Sequence, residues 1–159
     1  MSDCGIACKN LFTAFCFRDL RFAEPPDMKG VYVIRVRQEG LPVDSVLSGV
    51  RHVVKSLNWP AVGEKIMDRT QRIMMIDDCP IIYIGSAGTN PKSKQTLQGR
   101  YNDFAGRHTA MFPLWALVYH HWDLKYGYRA VGDSGASEAN LKSRYREIHG
   151  GRLPALVYR

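Results

Sequence analysis

Two tripeptides frame the chemistry this chain could carry: Gly30-Val31-Tyr32 at the start of one β-rich run and Tyr83-Ile84-Gly85 at the end of another. Further on come Leu97-Gln98-Gly99-Arg100, then His108, then Ser137-Glu138 ahead of Leu141. A tyrosine, with an ordinary pKa of about 10, is a poor base until nearby cations or metal-bound water acidify it. An arginine offers a planar fork to two oxygens of an anion and gains strength as charge builds there. A single carboxylate can hold one hard cation that keeps several waters. Taken singly, each residue has an ordinary structural use: strand tyrosines pack, an early helical glutamate complements the dipole, Arg100 is a surface charge and His108 a turn residue. The joint order is more informative, because background composition would place both tripeptides in this order on the order of one time in a thousand.

These residues need elements to position them. Residues 30–36 alternate and are rich in β-branched and aromatic side chains, which predicts a strand; residues 81–85 predict a second. Between them Val46, Leu47, Val50, Val54 and Leu57 recur at helical spacing. Val62, Ile66, Ile73 and Met74 do the same after the break at Trp59-Pro60, so about residues 38–78 form a helical insertion. Gly88, Asn90 and Pro91 predict a loop, and a helix follows from near residues 94–96 to Gly106. Pro113 suits the first turn of another helix, with Trp115, Tyr119 and Trp122 on one stripe, read as core or a dimer seam. Residues 123–131 predict a third strand. Ser137 is the expected N-cap of a helix over residues 138–149, which Gly150-Gly151 end. The order is mixed α and β, without internal repeat or linker, and reads as one domain over residues 1–159.

Composition narrows the partners. With 45% hydrophobic and 23% charged residues, disordered and collagen-like classes are excluded. The formal charge is +7, and residues 79–159 hold eleven basic against five acidic side chains, while residues 41–78 are balanced at five of each. The excess therefore lies in the half that holds Tyr83, Arg100 and Glu138, and an anionic partner is expected there. The longest apolar stretch, residues 111–122, contains His120 and His121 and falls short of the roughly 20 residues of a membrane helix. No membrane partner is expected, and the N-terminus lacks a basic leader, so the expected location is cytoplasmic. Cys4, Cys8, Cys16 and Cys79 show no second closely spaced pair to match Cys4 and Cys8, which favours buried thiols over a zinc set or disulfides.

The ordered motifs resemble the GIY-YIG nuclease superfamily, over residues 30–36 and from 80 to about 157. The resemblance implies an α+β fold with a small three-stranded antiparallel sheet flanked by helices, here with the insertion between the first two motif strands. It implies a DNA endonuclease dependent on Mg2+, with Mn2+ as a substitute. By position, Tyr32 and Tyr83 resemble the two motif tyrosines, Arg100 the catalytic arginine, His108 a helper histidine and Glu138 the metal ligand. Which tyrosine is the base stays open. Gly85, Lys92, Lys94 and Arg107 are expected along the substrate, Gly85 by letting it approach and Arg107 as a weaker rival for the arginine role.

Phosphodiester hydrolysis asks for an activated water, a stabilised pentacovalent phosphorus and a positive charge beside the leaving oxygen, which these residue types can supply. Tyr32, Tyr83, Arg100 and Glu138 should then converge on one concave basic surface. The pattern departs from the family in three places, one of them a lengthened loop from Gly85 to Arg100. Residues 33–82 separate the motif tyrosines, and Val157 stands downstream of Pro154 where members commonly carry an asparagine, a role Asn140 is a candidate to fill. The alternatives are a catalytically weakened nucleic-acid-binding module on the same scaffold, or an RNA-directed nuclease. A homodimer is one way to cut both strands.

Overall fold

The computed structural model of the chain describes residues 4–37, 39–90, 92–106, 108 and 110–158. At its centre lies an antiparallel sheet of β1 (Cys16–Asp19), β2 (Gly30–Arg37), β3 (Ile81–Ala87) and β4 (Asp123–Ala130), ordered β1-β4-β2-β3. The fold is α+β, but the described residues form four strands, not the expected three. The three expected strands are β2, β3 and β4. The additional one comes from the N-terminal segment, which pairs along β4 from Cys16 opposite Tyr128 to Asp19 opposite Lys125. Its four residues are too few to show an alternation; what makes them a strand is the ladder that the edge of β4 offers.

Around the sheet lie α1 (Cys4–Leu11), α2 (Val43–Lys55), α3 (Pro60–Thr70), a short 3-10 helix (Gln71–Met75), α4 (Leu97–Asp103), α5 (Met111–Tyr119) and α6 (Ser134–Ile148). Side chains alternate along β2, so Tyr32, Ile34 and Val36 face one side while Val31 and Val33 face the other. On the tyrosine side pack α2, the 3-10 helix, α4 and α5 through Val46, Ile73, Leu97, Leu114 and Leu117. On the other side pack α1 through Cys8 and Leu11, the segment after it through Phe12 and Phe15, and α6 through Leu141 and Tyr145. Covered on both faces, β2 runs apolar until Arg35, its first exposed residue.

The insertion read from residues 38–78 holds α2, α3 and the 3-10 helix, with Pro60 at the start of α3. Where α2, α3 and α5 meet, a groove of about 860 Å³ leaves Val53, Leu57, Trp115 and Tyr119 exposed. Of the aromatic stripe read as core or a dimer seam, Trp122 is core, whereas Trp115 and Tyr119 on α5 are exposed. The helix buries Leu114 and Leu117 instead, and Trp122 lies outside it, because the chain turns at His121 with φ 68°. The Trp122 indole is buried and donates to the Leu41 carbonyl at 2.7 Å.

Two helix limits also differ from expectation. Asp133, whose carboxylate accepts the Ala136 N–H at 2.9 Å, caps α6 just over a turn before Ser137. Thr96 caps α4, which ends at Asp103 and not at Gly106. After α6, Gly150 and Gly151 adopt φ 60° and 87°, a region open to glycine, and turn the chain back. The tail is then pinned: Leu156 N–H donates to Ile82 O at 2.9 Å, and Arg72 donates to the carbonyls of Ala155 at 3.1 Å and Val157 at 3.0 Å. Among the described residues no helix is long and apolar enough to cross a membrane.

Candidate active site

Tyr32 sits in the middle of the sheet with only 1% of its surface exposed. Its ring stacks between Tyr83 of β3, at 5.8 Å and 12°, and Tyr126 of β4, at 5.4 Å and 14°. The strands make this possible because Tyr32 is opposite Gly85 on one side and Tyr128 on the other, so the large rings meet diagonally. Phe104, which follows α4, closes the stack edge-on against Tyr32 and Tyr83. Burial raises the pKa of Tyr32 and, less strongly, of Tyr83, while Arg100 pulls both down. Tyr83 is only half-buried, and of the two it is the one that can meet water.

Gly85 has a more local role than the expected substrate approach. A Cβ there would lie 2.6 Å from the Tyr32 ring and hydroxyl and 2.8 Å from the Tyr83 ring. The glycine is what lets both tyrosines lie over β3. Gly85→Ala is therefore expected to push both rings aside and to destabilise the fold by about 1–3 kcal/mol. Urea denaturation reads the loss, and an unchanged midpoint would mean that the rings give way freely.

His108 ties the two hydroxyls together. Its Nε2 lies 3.1 Å from Tyr32 Oη and 3.4 Å from Tyr83 Oη, and its ring stacks on Phe104 at 4.1 Å. The backbone N–H of Ala110 donates to Nδ1 at 3.0 Å, so Nδ1 carries a lone pair and the proton of the neutral ring is on Nε2. His108 is thus a donor to the tyrosine oxygens and would stabilise a phenolate. Burial, reinforced by Arg100, pushes its pKa down from 6.5 to about 4. The unfolded chain therefore binds the extra proton between those two values. The stability owed to neutral His108, about 3 kcal/mol, is complete above pH 6.5 and is lost as pH falls towards 4. Urea midpoints across this window should fall more steeply for the native chain than for His108→Gln.

Arg100 lies on α4, its side chain about 30% exposed, with Nη1 3.5 Å from Asp103 Oδ2. Asp103 is shared with Gln95, whose amide donates to the same oxygen at 2.8 Å. The Arg100 Nε is buried with no hydrogen-bond partner among the described residues, and so is Tyr126 Oη. Two unsatisfied polar atoms therefore flank the tyrosine stack. The guanidinium also lowers the pKa of Tyr32, Tyr83, Tyr126 and His108, so its charge acts on the whole cluster.

Glu138 is placed differently. It belongs to α6, which packs on the opposite face of the sheet from the tyrosine rings. Along β3 the side chains alternate, so Gly85 faces the tyrosines and Ser86 faces α6. Ser86 Oγ donates to Glu138 Oε2 and shares a hydrogen bond of 2.8 Å with Thr89 Oγ1. Lys142 Nζ lies 2.5 Å from Glu138 Oε1. The carboxylate still reaches around β3 electrically, since it raises the pKa of Tyr83. The structure thus brings Tyr32, Tyr83 and His108 into contact, with the Arg100 charge acting on all three, and sets Glu138 across β3 from the rings, in place of one common surface.

A hard cation suits the donors around Glu138, which are a carboxylate and the hydroxyls of Ser86 and Thr89, all oxygens. The Lys142 ammonium already neutralises part of that charge and would have to yield to a metal ion. Lys92 and Lys94 are exposed on the loop between β3 and α4. Arg107 lies outside the described residues. Val157 is buried, and Arg72 takes over the anchoring of the tail, while Asn140 faces solvent. Sequence reasoning missed Tyr126, Phe104, Ser86 and Lys142; only the strand parity of Ser86 could have pointed to its pairing with α6. The chain matches no family model, no curated protein and no solved structure with which it was compared.

Proposed function

We propose that this chain is a metal-dependent DNA endonuclease working through a GIY-YIG-type site. The carrying observation is the histidine that bridges two stacked tyrosine hydroxyls beside an arginine whose buried Nε has no partner. A phosphate oxygen would satisfy that Nε, and the guanidinium would follow the charge that accumulates on phosphorus in the transition state. Tyr83, half-buried, is the tyrosine placed to take a proton from water. It must first be ionised, and the groups that favour its phenolate are Arg100 and the Nε2–H of His108. Tyr32, enclosed, holds the histidine and the ring stack in register. Glu138 with Ser86 would hold Mg2+ beside the edge strand β3, and the ion would supply charge neutralisation and an acidified water to a phosphate lying over that edge. Lys92 and Lys94 would guide the DNA backbone.

A second reading, a nucleic-acid-binding module without catalysis, is favoured by the Lys142 ammonium seated on Glu138. Incubating supercoiled plasmid with the full chain separates the two. Nicking that needs Mg2+ or Mn2+ and stops with EDTA is the expected result, with affinity falling steeply as salt rises. Plasmid bound but never nicked would end the enzyme reading.

A further inference from the structure

Away from the tyrosines, Cys8 of α1, Cys79 just before β3 and His149 at the end of α6 meet on the other face of the sheet. All three are buried, at 2%, 3% and 8% exposure. Cys8 Sγ lies 3.5 Å from Cys79 Sγ and 3.0 Å from His149 Nε2, and Cys79 Sγ lies 3.6 Å from the same nitrogen. The sulfurs are too far apart for a disulfide, whose S–S bond is about 2.05 Å. Tetrahedral zinc, bonding sulfur at about 2.3 Å and imidazole nitrogen at about 2.0–2.1 Å, holds such atoms about 3.6–3.8 Å apart. The observed triangle is close to that and slightly tighter. A centre at bonding distance from all three atoms sits just off its plane.

We propose that Cys8, Cys79 and His149 form a three-ligand zinc site whose fourth position is left to water, independent of the nuclease reading. Two soft sulfurs and one imidazole select zinc over Mg2+, which prefers the oxygen set at Glu138. The ligands come from three distant parts of the chain, and their supports are in place. Asp77 Oδ1 accepts the Cys79 N–H at 2.9 Å, and the Tyr145 ring stacks on His149 at 3.9 Å. Cys79 and His149 also line a cavity of about 260 Å³, which gives the ion a path in. As the metal binds, the two thiols lose their protons to solvent and coordinate as thiolates. The ion would fasten α1, the start of β3 and the end of α6 to one another. Those elements lead to Tyr83 and Glu138, so the zinc would hold the sheet face behind the candidate active site.

The test is metal analysis of the full chain, purified under reducing conditions, supplied with Zn2+ and dialysed. About one zinc per chain is expected, with X-ray absorption reading at least two sulfurs and a nitrogen around it. The Co2+-loaded chain should show thiolate-to-metal charge transfer and tetrahedral absorption. Cys79→Ser and His149→Ala should lose the metal, while Cys16→Ser, whose thiol is exposed, and Glu138→Gln should keep it. Since Cys79→Ser could unfold the chain, the absorption spectrum of the native chain decides independently. Zinc far below one per chain, or a zinc surrounded only by nitrogen and oxygen, overturns the site. Zinc retained in the double variant Cys8→Ser/Cys79→Ser does the same.

Discussion

Replacing Arg100 by lysine is expected to remove nicking almost as fully as replacing it by alanine, by about 10²–10³-fold in kcat. Lysine keeps the charge but not the planar fork, and its compact ammonium cannot present two parallel donors to phosphoryl oxygens. The fold should survive either change. The pair with Asp103 is long, at 3.5 Å, and partly exposed, so its loss costs less than about 1 kcal/mol. DNA affinity should fall less than about tenfold, because many phosphate contacts share that energy. Arg100→Ala should also leave a mark on the resting site: with the cation gone, His108 titrates higher than about 4, a shift that NMR of the imidazole would detect. Normal nicking by Arg100→Lys would deny the guanidinium its transition-state role.

The second large effect is expected at Glu138. Glu138→Gln keeps an oxygen for Ser86 while removing the charge that would hold the cation, and Mg2+-dependent nicking should drop at least about 10²-fold, or roughly 3 kcal/mol in the barrier. The cost to stability should be near 1 kcal/mol, because Glu138 and Lys142 are each about one-fifth exposed. Tyr83 offers a check that does not depend on turnover. Glu138 raises its pKa, so the variant should ionise this phenol at lower pH in an ultraviolet titration. If nicking persists unchanged, the cation is held elsewhere, and the position of Glu138 across β3 from the tyrosine rings acquires its plain explanation.

Much of the scaffold was legible because its signals are local. Alternation over residues 30–36 and the β-branched run at 81–85 became β2 and β3, and the helical spacing around Val46 and Ile66 became α2 and α3. Of the ordered residues, Tyr32, Tyr83 and His108 do meet, while the Arg100 side chain is held by Asp103. What remained hidden depends on pairing across the chain. β1 exists only because β4 has a free edge, and Glu138 lies behind β3 because of a strand parity that its own sequence neighbours do not encode. The α6 cap was misplaced because Asp133, Ser134 and Ser137 all offer N-cap chemistry, and only the folded backbone selects Asp133. The cysteines looked unpartnered because their third ligand-type neighbour, His149, is 141 residues from Cys8.

The insertion between the motif strands has a kinetic consequence. β2 and β3 are neighbours in the sheet, yet residues 38–80 intervene, so their pairing closes a long loop where a hairpin would need only a short turn. Closing that loop costs roughly 2–3 kcal/mol more entropy than a two-residue turn. β2 also pairs with β4 from far along the chain, and non-local pairing of this kind slows folding. The helices of the insertion can form early from local contacts, whereas the tyrosine stack cannot exist until both long-range pairings are made. In a refolding experiment, helical circular dichroism should therefore recover before the near-ultraviolet signal of the stacked tyrosines, and the candidate active site would be among the last parts of the molecule to assemble.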